Sequence, residues 1–120
     1  MTTSTRCQRS LHGENAQGVF IFQRAGHIPA GDLLATGILT LDGLGTGTAI
    51  QTTGRNGVFT SGPPIVGPYT VNDDCTGTFI DSNGKVFSEW VAVHGREEIL
   101  AISETNGNNV SAHFAYVGRD

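Results

Sequence analysis

Four polar side chains able to do chemistry stand inside otherwise apolar segments of this sequence. Glu89 alternates with Phe87 and Val91, and Arg24 with Phe20 and Phe22. Glu104 follows Leu100 and Ile102, and His113 stands between Ser111 and Ala115. A two-residue spacing puts these neighbours on one face of a strand. A glutamate aimed into a closed apolar interior has its pKa raised by desolvation and can serve as proton donor or base. Arg24 as its partner would reverse that shift by stabilising the carboxylate. The plainer role for such groups is on a solvated face or in rim salt bridges, because Arg and Glu are rarely buried alone. Trp90, Tyr69 and Tyr116 offer large contact area with one polar handle each, for a ligand or for core packing. The candidate ligand-binding set is therefore Phe22, Arg24, Tyr69, Phe87, Glu89, Trp90 and Tyr116, with no catalytic residue assigned.

Other chemistry finds little support. His12, His27, His94 and His113 form no metal-binding spacing, so no metal is expected. Asn72, Asp73 and Asp74 offer three side-chain oxygens, a set that more commonly forms a turn than holds calcium. Gly43 to Gly47 is glycine-rich but has no helix start behind it to bind an anion. No serine elbow, phosphate loop or dinucleotide fingerprint occurs, and no cofactor is expected.

The elements that must position these groups are strands. Asp42-Gly43, Asn56-Gly57, Asn83-Gly84 and Asn106-Gly107 lie between apolar, β-branched runs. Such dipeptides tolerate the positive φ of type I′ hairpin turns. The predicted strands cover about 18–24, 33–41, 46–53, 58–60, 66–71, 76–81, 86–93, 98–104 and 110–117. Gly26 to Gly31, containing Pro29, reads as a loop, and Gly62-Pro63-Pro64 breaks the chain again. No stretch has a convincing helical period. The fold class is all-β: an antiparallel up-and-down barrel of eight or nine strands, wide enough to be filled or to hold one small ligand. Residues 1–15 read as a tail whose part around Cys7 to Leu11 docks on a single domain, 16–120.

Several strands are apolar on both faces: Val19 and Ile21 oppose Phe20 and Phe22, and Val91 opposes Trp90 and Ala92. A lone barrel in water needs only its inner face apolar, so its outside is expected to be covered by the tail, another layer or another copy. A homo-oligomer is one expectation.

The bulk numbers fit this reading. One domain fits in 120 residues, with 15% charged residues and 17 glycines, suited to tight turns and strands. The seven Lys and Arg are scattered in a chain of net charge −4, which argues against nucleic acid as a partner. No apolar run reaches the roughly 20 residues of a membrane helix. Cys7 and Cys75 would be free thiols in a reducing compartment and a pair in an exported protein. Met1 to Thr5 lacks the apolar core of a signal peptide. A removed leader would place the protein outside the cell or in the periplasm; otherwise it is cytoplasmic.

Cys7 is followed by Leu11-His12-Gly13, then by the Gly37-Ile38-Leu39-Thr40-Leu41-Asp42-Gly43 segment. Next come Gln51-Thr52-Thr53 and the run Gly67-Pro68-Tyr69-Thr70-Val71-Asn72-Asp73-Asp74-Cys75-Thr76-Gly77-Thr78. Over residues 7 to 118 this arrangement resembles a family of small bacterial proteins, mostly exported, with a lipocalin-like (calycin) or allene-oxide-cyclase-like barrel. Pro68 stands where that pattern has Thr or Ser. The resemblance implies a Cys7–Cys75 disulfide and carries over no catalytic residue. Closing so long a loop would contribute roughly 4 kcal/mol in the chain-entropy account.

Three functions are compatible with these residues. The first is binding of a small apolar or amphipathic molecule inside the barrel. The second is a cyclase or isomerase that folds a hydrophobic metabolite into a reactive conformer with help from Glu89. The third is a structural or assembly role through the apolar outer face.

Overall fold

The computed structural model describes residues 17–72, 74–81, 83–93, 98–105 and 107–118. Cys7, His12, Asp73, His94, the 1–15 tail and the Asn106 turn residue lie outside them. Nine strands follow in order: β1 (Gln17–Ile28), β2 (Gly31–Asp42), β3 (Thr46–Arg55), β4 (Val58–Ser61), β5 (Ile65–Val71), β6 (Thr76–Ile80), β7 (Val86–Val93), β8 (Glu98–Ser103) and β9 (Asn109–Gly118). All pair antiparallel. Eight of them close a ring, β1-β2-β3-β5-β6-β7-β8-β9, with β9 returning to β1. β4 stands outside the ring, paired to the far end of β3 (Thr52↔Ser61 to Arg55↔Val58). The all-β antiparallel barrel expected from the sequence is thus observed. No helix among the described residues is long and apolar enough to cross a membrane.

The segment expected as a loop, Gly26 to Gly31, is corrected: β1 continues to Ile28 and turns at Pro29-Ala30 alone. Gly26 is not a breaker. It sits on the inner face of β1, where a Cβ would run into the Asn109 carbonyl oxygen of β9. Gly37 on β2 is crowded in the same way by the Ile50 carbonyl oxygen of β3. Both are close-approach positions of the kind that let strands coil into a barrel.

The hairpin turns use two chemistries. Asn56 and Gly57 both have positive φ, 51° and 86°, as a type I′ turn requires. Asp42 and Asn83 do not share that geometry; the positive φ angles there belong to glycines, Gly43 and Gly45 in the first turn and Gly84 in the second. Instead, Asp42 Oδ1 accepts from the N–H groups of Leu44 (2.7 Å) and Thr46 (3.0 Å). Asp81 Oδ1 does the same for Asn83 (2.9 Å) and Lys85 (3.0 Å). These Asx-type bonds add to the backbone bonds of the second turn, where Gly84 N–H donates to the Asp81 carbonyl oxygen at 3.0 Å and Asp81 N–H to that of Lys85 at 2.8 Å. The bonds from Thr46 and Leu44 hold the Asp42 carboxyl below its usual range.

Side chains fill one half of the barrel. Phe20, Leu41 and Ile99 are fully buried there, with Tyr69, Trp90 and Ala92 around them. Truncating a fully buried Phe of this kind costs about 3–5 kcal/mol. Tyr69 also ties the β2–β3 loop down, its hydroxyl accepting from Gly43 N–H at 3.0 Å.

Candidate functional site

The other half of the barrel is hollow. Its inward positions carry small side chains, Ala49 on β3, Ala101 on β8 and Ala112 on β9, opposite the rings of Phe22, Phe79, Phe87 and Phe114. Small residues facing aromatics leave a cavity of about 460 Å³, open at the end of the barrel where β4 overhangs. That volume lies within the range of small-molecule sites. The rings pack as a continuous wall: Phe22 and Phe114 centroids are 5.1 Å apart, Phe79 and Phe114 6.0 Å, and Phe79 and Phe87 6.2 Å.

A bulge builds the mouth. Between Phe79 and Ile80 the β6–β7 register slips, so that Phe79 faces Ser88 while Ile80 faces Val86. Phe87 is the extra residue, and it packs against the core although Ser88 beside it is also buried. Strict alternation is lost at this point. Ser88 is satisfied locally, its Oγ donating to the Ile102 carbonyl oxygen at 3.0 Å.

Polar groups in the cavity are few. Arg24 follows Phe22 on the inner face of β1 and is half-buried; its Nη1 donates to Gln51 Oε1 at 3.0 Å. Gln51 Nε2 donates in turn to Thr53 Oγ1 at 3.3 Å. Burial pulls the Arg24 guanidinium below its ordinary pKa; arginine side chains stay charged in proteins. No group of three or more His, Cys, Asp or Glu able to hold a metal ion occurs among the described residues.

The seven candidate residues do not form one site. Phe22, Arg24 and Phe87 come together in the cavity. Tyr69 and Trp90 lie in the filled half, each about 3% exposed. Trp90 packs against Phe79 with the rings tilted by 35° and their centroids 5.9 Å apart, and its Nε1–H finds no acceptor among the described residues. Tyr116 sits at the filled end, edge-on to Phe20 at 5.5 Å, with its ring over Gly18. Glu89 is a correction: it is exposed on the outer face of β7, because the bulge separates it from Phe87. It lines an open outer trough of about 710 Å³ with Leu100, Ile102 and His113. Glu104 is exposed as well, and the hydrogen bond it shares with Glu89 pushes its carboxyl above the usual value, with desolvation and the Glu89 charge adding. His113 Nε2 lies 3.4 Å from Glu98 Oε1. None of these outer groups reaches the interior.

Gln51, Phe79, Phe114 and the three alanines also line the cavity, though nothing in their residue types marks them in the sequence. The alternation Gly47-x-Ala49-x-Gln51 was the available signal, but which strand it would face was not legible.

No family model matches the chain, and no curated protein matches it. One solved structure that does match is titled "De novo design of a fluorescence-activating beta barrel"; it is 14% identical, with 85% of this chain and 94% of that chain covered and a TM-score of 0.48. The barrel assignment rests on the strand pairing described above.

Proposed function

We propose that the barrel binds a small apolar or amphipathic molecule in its hollow half. The observation that carries this reading is the cavity of about 460 Å³, walled by four phenylalanines and left open by Ala49, Ala101 and Ala112. A chain selected only for stability would fill such a space, since voids in a core are destabilising. Phe22, Arg24 and Phe87 are the ligand contacts; Tyr69, Trp90 and Tyr116 hold the scaffold. The test is titration with the neutral dye N-phenyl-naphthylamine, read by dye emission and by quenching of Trp90, the single tryptophan. Saturable binding that is lost in Ala49→Phe, with the melting temperature kept, is the expected result. Binding unaffected by Ala49→Phe would move the site elsewhere.

The cyclase alternative loses its proposed acid–base group with Glu89 outside. A second reading, association between copies, has its own observation. Ile21, Ile38 and Ile50 are cross-strand neighbours on the outer face and are 51%, 48% and 55% exposed. Light scattering at rising concentration checks it. The Cys7–Cys75 bridge belongs with these proposals. Cys75 holds a left-handed φ of 73° in the turn before β6, a strained position for a non-glycine residue. Intact mass with and without reductant and alkylation tests the bridge.

A further inference from the structure

Arg24 stands in the hollow half with one side-chain hydrogen-bond partner among the described residues. Of its five N–H donors, one is met by a described side chain, Gln51. Gln51 is itself oriented by Thr53, which keeps its amide oxygen turned toward Arg24. The ion pairs formed among the described residues are His27–Asp32 and His113–Glu98, both on exposed groups. Asp81 also lines the cavity, but its Oδ1 is occupied by the Asn83 and Lys85 N–H groups. Among the described residues Arg24 thus forms no ion pair, and its positive charge stands against a mainly apolar wall, with the hydrogen-bonded Asp81 as the carboxylate that shares the cavity. Packing alone gives no reason for this, because an apolar side chain of similar volume would serve stability as well or better. The planar fork of Arg is suited to a carboxylate or similar oxyanion, which it grips through two parallel hydrogen bonds.

We infer that the molecule held in the cavity is an amphipathic anion, with its oxyanion head on Arg24 and its apolar body among Phe22, Phe79, Phe87 and Phe114. The inference rests on the interior-binding reading above. It is tested with a matched pair of dyes, N-phenyl-naphthylamine and its sulfonated analogue, anilinonaphthalene sulfonate. Wild-type protein should bind the sulfonated dye about tenfold tighter or more, as a charge-assisted bidentate contact allows. That ratio should collapse toward one in Arg24→Met and stay intermediate in Arg24→Lys, which keeps the charge but not the fork. A measurement on wild type alone gives the same answer: dodecanoate displaces the dye and dodecanol does so much less well. Equal affinity for both dyes, a preference that survives Arg24→Met, or sulfonated-dye binding that survives Ala49→Phe would each overturn the inference. In the first two cases the interior-binding reading would still stand. Failure of both dyes to bind would overturn the two together.

Discussion

At the scale of single residues, inward and outward placement decides every role. Alternation along β1 made Phe20, Phe22 and Arg24 readable as one face, and the fold puts all three inside. The same rule failed on β7, where Phe87 and Glu89 share a parity but not a side. The bulge opposite Phe79 inserts one residue, and a bulge leaves no reliable mark in a single sequence. Outside the barrel, Glu104 has a testable consequence. Its carboxyl is raised above the ordinary 4.5 by Glu89, so the folded state holds that proton more tightly than the unfolded chain. A raised carboxyl costs nothing below about pH 4.5 and costs stability as pH rises through the folded value. Glu104→Gln should therefore raise the melting temperature at about pH 7 and leave it unchanged near pH 4. Thermal melts at both pH values check the sign.

At the scale of elements, strands were legible and the reasons for their bends were not. The apolar runs and turn dipeptides marked all nine strands to within a few residues. Pro29 and Gly26 together suggested a loop, whereas only Pro29-Ala30 turns and Gly26 accommodates a neighbouring backbone. Tertiary closure, which one strand's sequence does not carry, overrode the local signal. Gly26→Ala should cost about 1–3 kcal/mol through overpacking against the Asn109 and Val110 backbone. Gly62→Ala, in the open segment before Pro63, meets nothing and should be neutral or stabilising by up to about 1 kcal/mol. Urea denaturation of the pair separates crowding from the general effect of losing a glycine.

At the scale of the whole molecule, the barrel is asymmetric: packed at one end, hollow at the other, with β4 hung outside. Ring closure was legible from strand count. The cavity was not, because it arises where Ala49, Ala101 and Ala112 from three strands meet around a common axis, a meeting that requires the register of each pair. The asymmetry should appear in hydrogen exchange. Amides of Ile99 and Ala101 on β8, paired on both sides, should exchange only with global unfolding. Amides of β4, paired to β3 alone and carrying Phe59 at 68% exposure, should exchange far faster. Protection of β4 equal to that of β8 would mean that something else covers it.

The β1–β9 seam, where Phe22 lies opposite Phe114, also sets a timetable for the nascent chain. The first hairpin emerges from the ribosome with Phe20 and Leu41 facing water, and no strand that follows directly can seal it. Only the last strand completes the ring. Such long-range pairing is intrinsically slow and leaves apolar surface exposed meanwhile. A translation arrest before β9 should therefore yield an unlatched, sticky sheet that chaperones hold, and release of the final strand should convert it in one cooperative step.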